Sequence, residues 1–153
     1  MERLLAHMRV AEVHGSIVTT AATVAPDASI AELLEKILED PRTRHVYVVD
    51  EAGRLLGSVR LVAVLRHLFP YTSLPDAERA SPSELLRYLA AATAAEIMNP
   101  APRYVTEDAS MLEVVRLMVE ENLGELPVVD AGRRVVGEVN FLEIVAACLG
   151  RRG

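Results

Sequence analysis

Apolar residues recur along this chain in two matched registers. Ile30, Leu33, Leu34, Ile37 and Leu38 are spaced by three and four residues, and so are Met111, Val114, Val115, Met118 and Val119. That spacing puts one apolar face on each of two helices, 27–40 and 111–121. Ser29 stands three residues before Glu32, and Ser110 three before Glu113. Each pair predicts a capping box, in which two orphan amides at a helix start are satisfied reciprocally. Beyond each helix lies a short β-branched run, Val46 to Val49 and Leu126 to Val129. A turn follows, at Asp50 to Gly53 and at Ala131-Gly132, with Gly53 suited to a positive φ. Return strands Leu55 to Val59 and Val135 to Val139 come next, then apolar helices Leu61 to Phe69 and Phe141 to Leu149.

The two registers are a repeat, offset by 80 to 81 positions. Asp27-Ala28-Ser29-Ile30 matches Asp108-Ala109-Ser110-Met111, Asp50 matches Asp130, and Gly57 matches Gly137. A repeat of this kind sets the architecture before any local assignment. The predicted fold is α+β: two units of helix, strand, strand and helix packed by pseudo-twofold symmetry. Their boundaries are 12–69 and 96–149, joined by 70–95. A helix is expected over Glu2 to Val13, an irregular or extended stretch over Ile17 to Val24, and a helix from the Ser81-Pro82-Ser83-Glu84 start towards Met98.

Composition narrows the function. Of 153 residues, 51% are apolar and 4% aromatic, with no Trp, so aliphatic packing must carry the core. The net charge of -6 argues against non-specific nucleic-acid binding and anionic membrane surfaces. No apolar run approaches the ~18 residues of a membrane span. Met1 to Val13 carries Glu2, Arg3, Arg9 and Glu12, unlike a secretory signal. The single Cys148 cannot form an internal disulfide and suits a small buried hydrophobe in a reducing, cytoplasmic setting. His7, His14, His45 and His67 lack metal-ligand spacing, no phosphate-binding glycine loop is present, and no nucleophile–base arrangement supports catalysis.

The ordered set Leu126-Pro127-Val128-Val129-Asp130 and Gly137-x-Val139-x-x-x-Glu143, with its earlier twin, resembles the CBS domain, named after cystathionine β-synthase. Ala95-Glu96-Ile97-Met98 is similar to the family's short lead-in, and Ala11-Glu12-Val13-His14 is its weaker counterpart. Two such units resemble a Bateman module. The resemblance implies a regulatory module and not an enzyme. By the same resemblance such a module needs no cofactor, forms a homodimer and binds an adenosine-containing ligand in a cleft between the units. In the family, the second strand ends in Gly-x-x-Thr/Ser-x-x-Asp, whose hydroxyl meets phosphate and whose carboxylate meets the ribose diol. Here Asn140 and Glu143 hold those positions in the second unit, and Arg60 and Ala63 in the first.

The resemblance therefore assigns Asn140 to phosphate and Glu143 to ribose, with Arg103 and Arg60 as further phosphate contacts. Tyr104, Leu126 and Pro127 become ligand wall, with Thr23 as the first-unit counterpart of Tyr104 and His45, at the start of the first unit's strand, as a further phosphate contact. Each reading has a plainer rival: Glu143 as a solvated first-turn carboxylate, Asn140 as a helix N-cap, Arg60, Arg103 and His45 as solvated side chains, and Leu126 and Pro127 as fold features first and ligand wall second. The residues leave AMP, ADP, ATP and S-adenosylmethionine open. Two other functions stay open too. One is a homodimerising interaction module without a ligand, joined through the faces Ile30 to Leu38 and Met111 to Val119. The other is an in-trans regulator of an ion transporter, acting on an unidentified partner protein.

Overall fold

The computed structural model describes residues 1–68 and 92–150, together with Ser81, Ser83 and Arg87. Its elements are α1 (Glu2–His7), a 3-10 turn (Val10–Glu12), β1 (Thr23–Val24), α2 (Ile30–Glu39), β2 (His45–Val49), β3 (Leu55–Arg60), α3 (Leu61–Leu68), α4 (Ala94–Ile97), β4 (Val105–Thr106), α5 (Met111–Glu121), β5 (Glu125–Val129), β6 (Val135–Asn140) and α6 (Phe141–Cys148). Two three-stranded sheets run β1-β2-β3 and β4-β5-β6. In each, the first strand is parallel to the second, with Thr23 beside Tyr47 and Val105 beside Val128. Strands β5 and β6 are antiparallel, pairing Leu126 with Val139 and Glu125 with Asn140.

The capping boxes form as the Ser/Glu spacing predicts. Ser29 Oγ accepts from Glu32 N while Glu32 accepts from Ser29 N (2.6 Å), and Ser110 and Glu113 do the same. Ile30, Leu33 and Ile37 lie buried under one sheet, with Val46, Val48 and Val59. Met111, Val114 and Met118 lie under the other, with Leu126, Val128 and Val139. A side chain of this size contributes about 1.5–3 kcal/mol when fully buried. The faces suggested for a dimer are therefore used within the chain's own cores, and only the last-turn Leu38 and Val119 stand exposed.

Two helices differ from expectation. Glu2 to Val13 does not form one helix: Met8 turns extended (φ -79°, ψ 134°), and a 3-10 turn restarts after Arg9. The chain also does not run as helix into Met98. Thr93 is extended and caps a fresh short helix with Glu96; Pro82 and Glu84 of the predicted start lie outside the described residues.

Both breaks have one cause: each lead-in packs on the other repeat. The chain divides into two compact lobes. One holds Met1–Ala21, the hairpin tip Ala52–Leu55 and the described part of the chain from Arg103; the other holds Ala22–Glu51 and the described parts of Leu56–Pro102. In the first lobe, Val10 N donates to Ala109 O (3.0 Å) and Ala11 N to Glu107 O (2.9 Å). In the second, Ala94 N donates to Ala28 O (2.8 Å) and Ala95 N to Pro26 O (2.9 Å). These are equivalent bonds at equivalent places, made by lead-ins exchanged between the repeats.

Candidate functional site

The first lobe gathers Arg103, Tyr104, Leu126, Pro127, Asn140 and Glu143. Strand β6 ends at Asn140 and α6 begins at Phe141, so the helix start falls at the end of the strand. Asn140 is extended (φ -121°, ψ 164°) and caps the helix: its Oδ1 accepts from Glu143 N (3.1 Å). The cap uses the amide oxygen and leaves the amide nitrogen to other partners. Glu143 completes the box, accepting from Asn140 N at 3.1 Å through Oε2.

Glu143 is not a solvated carboxylate. It is completely buried. Its Oε1 accepts from the backbone amides of Ile17 (2.9 Å) and Val18 (3.2 Å). An unpartnered carboxylate would be costly at such depth, and three amide donors offset that cost. Local spacing gave no sign of this contact, because its donors lie more than 120 residues away.

Arg103 is exposed and forks onto Glu121, with Nη2 at 2.6 Å and Nε at 3.2 Å from Oε1. Tyr104 is half-exposed, and the Arg133 guanidinium sits over its ring, 5.0 Å from the centroid. Arg133 has φ +62°. That left-handed backbone is uncommon for a residue with a Cβ. Its match in the first repeat is Gly53, at φ +79°, which adopts it without strain. Arg133 was not anticipated, and its place opposite Gly53 was the available signal. Leu126 is a fold residue first, as its plainer reading has it: it belongs to the core cluster, because alternation along β5 turns it inward with Val128. Pro127 turns to the other face of the sheet, across from the buried Glu138.

The first-repeat candidates lie in the second lobe and are dispersed. His45 is buried, its ring stacked on Tyr47 with centroids 6.2 Å apart. Arg60 is exposed at the end of β3. Thr23 lines a cavity of about 360 Å³ together with Asp27, Glu32, Glu35, Lys36 and Glu39. Four carboxylates against one ammonium, itself 2.9 Å from Glu39, oppose phosphate there. Among the described residues no group of three or more His, Cys, Asp or Glu side chains is placed to hold a metal ion, and no helix is long and apolar enough to cross a membrane.

His14 is a second unanticipated residue. Its Nε2 lies 3.0 Å from Glu107 Oε1, and Nδ1 is buried without a hydrogen-bond partner among the described residues. The ring lies flush on Gly137, where a Cβ would come 2.6 Å from Nδ1. In the other lobe Met98 and the Asn99 carbonyl lie on Gly57 in the same manner. The matched glycines are thus the seats of the exchanged lead-ins.

This doubled arrangement agrees with the comparisons. The profile of the CBS domain matches residues 10–70 and 94–150. The chain belongs to the CBS domain family, as a tandem pair. A CBS domain-containing protein of Thermotoga maritima, of known crystal structure, is 34% identical, with a TM-score of 0.74 over 95% of this chain and 97% of that one. The magnesium transporter MgtE of Thermus thermophilus is 34% identical over 76% of this chain and 21% of its own length. The crystal structure of the cytosolic domain of the Mg2+ channel MgtE in complex with ATP superposes with a TM-score of 0.61 at 30% identity, covering 83% of this chain and 44% of that one. The CBS pair spans between about a fifth and three-fifths of the curated relatives it matches.

Proposed function

We propose that this CBS pair is a non-catalytic regulatory module that binds an adenosine-containing ligand at its second repeat. The observation that carries this reading is the placement of Asn140 and Glu143 together at the start of α6, in the same lobe as Arg103 and Tyr104. A carboxylate accepts from a ribose diol, and a helix start with backbone amides favours phosphate. Arg103 reaches phosphate by leaving Glu121, an exposed pair whose loss costs at most about 1 kcal/mol. The ATP complex of the related MgtE domain supports the ligand class. The acidic cavity around Thr23 makes the first repeat the poorer phosphate site.

Ligand binding acts by differential affinity for two arrangements of the module, which a partner protein in the cytoplasm reads. The relation to a transporter supports an ion transporter as that partner, regulated in trans. One observation favours a ligand-free interaction module instead: Phe141, Leu142, Val145 and Leu149 leave an exposed apolar stripe along α6, open to a second copy of the chain.

Thermal unfolding against AMP, ADP, ATP and S-adenosylmethionine separates the two. A ligand at a hundred times its Kd adds about 2.7 kcal/mol to stability. A selective rise of the midpoint with one compound supports the sensor. Unchanged midpoints with all four return the function to the interaction module.

A further inference from the structure

Five helix starts among the described residues carry a capping-box acid: Glu12, Glu32, Glu96, Glu113 and Glu143. Four of these are exposed; Glu143 alone is buried. It is set apart by Oε1, which faces away from its own box onto the amides of Ile17 and Val18.

The other half of the molecule lacks both sides of this contact. Matching Ala11–His14 with Ala95–Met98 places Ile17 and Val18 opposite Ala101 and Pro102. Proline has no N–H to give. The Ala101 amide donates instead to Asn99 Oδ1, at 3.0 Å. The position of Glu143 is held by Ala63. The donor pair and its acceptor occur together in one half; in the other the acceptor is missing, one donor is missing and the second is turned to Asn99.

Resting on the adenosine reading above, we propose that the Ile17–Val18 segment is a built-in competitor for the ligand. Two amide N–H groups on one carboxylate oxygen present the donor pattern that the two hydroxyls of a ribose would present. A diol can take Oε1 only when the strap lets go. The exchange replaces two donors with two donors, so the strap lowers apparent affinity without forbidding entry. Three residues after Val18 the chain leaves this lobe, and at Thr23 it becomes β1 of the other. Release of the strap is therefore passed along the covalent chain to β1, whichever partner reads it.

Amide hydrogen exchange on the wild-type chain, with AMP, ADP, ATP and S-adenosylmethionine added in turn, tests this. A bound compound should accelerate exchange at Ile17 and Val18 by about tenfold or more while α5 keeps its protection. The Val18→Pro variant copies Pro102 of the other half and removes one strap donor. It should bind the same compound about three- to tenfold more tightly, by titration calorimetry. Binding with slowed or unchanged exchange at Ile17 and Val18 would overturn the strap and leave the nucleotide reading intact. Absence of binding to both chains would take down the nucleotide reading and the strap with it. Should Val18→Pro not fold, the wild-type exchange result decides alone.

Discussion

The two halves share a scaffold down to single hydrogen bonds and differ in what they do at one helix start. Val10 N to Ala109 O in one lobe is Ala94 N to Ala28 O in the other, and both α2 and α5 open on a Ser/Glu box. At the end of the second strand the likeness stops. One half carries Asn140 and a buried Glu143; the other carries an exposed Arg60 and Ala63. Bonds that hold the fold are duplicated, whereas the residues of the helix start where the proposed site lies are not. Where two copies of one architecture diverge, the divergence marks the part released from a purely structural duty.

The most damaging way to probe the shared part is through its glycine seats. An alanine Cβ at Gly57 would run into Met98 Sδ and lie 2.9 Å from the Asn99 carbonyl. At Gly137 the nearest atoms it would meet are those of the His14 ring. Each substitution should cost about 1–3 kcal/mol by urea unfolding, as overpacking does. The two should differ in rescue. His14→Ala should restore most of the loss in Gly137→Ala. Met98→Ala should restore less in Gly57→Ala, because Asn99 is backbone held to Ser58 by bonds of 2.8 and 3.1 Å. Equal rescue would mean that the two lead-ins are held alike.

The caps give a smaller effect, expected to be equal in both halves. Ser29→Ala and Ser110→Ala should each cost about 1 kcal/mol at neutral pH. Acid should reach the same contacts. The Ser29 and Ser110 amides hold the carboxyls of Glu32 and Glu113 below their ordinary range, and the Thr106 hydroxyl does so for Asp108. Arg42 beside Asp40 lowers that carboxyl to about 2. A depressed carboxylate stabilises the fold above its unfolded pKa, near 4, and this contribution is lost as pH falls through the folded pKa. Midpoints measured from pH 6 downward should begin to drop near pH 4. The Asp40 contribution should persist longest, to about pH 2. Unequal cap costs in the two halves would break the symmetry where it is most strongly claimed.

The repeated frame was legible because amphipathic spacing and Ser-x-x-Glu caps are local signals, and tertiary packing did not override them. Helix α5 begins and ends where its periodicity says. The lead-ins were not legible as exchanged, because their bonds join segments about 65 to 100 residues apart and leave no periodic trace. Gly57 and Gly137 were a trace of another kind: paired glycines in mid-strand mark close approach. Leu126 was legible as a fold residue first, and alternation along β5 puts it with Val128 in the core. Glu143 was placed at the right helix start, but its burial depends on backbone amides that local spacing cannot reveal.

The smallest effect tests whether the divergence extends to the hairpin turns. Gly53 and Arg133 hold matching left-handed positions, and among the described residues only Arg133 has an aromatic ring beneath it. A left-handed arginine is strained by about 1 kcal/mol relative to glycine, and a half-exposed cation–π contact returns about 0.5–1 kcal/mol. Arg133→Gly should therefore leave the unfolding midpoint nearly unchanged. In a Tyr104→Ala background the same change should stabilise by about 1 kcal/mol, since the compensating contact is already gone. Gly53→Arg should destabilise by about that amount, because the position matching Tyr104 is Thr23, which has no ring to offer. If Arg133→Gly stabilises equally with and without Tyr104, the ring does not hold the arginine. The strained turn would then need another cause, such as a ligand contact that Gly53 cannot make.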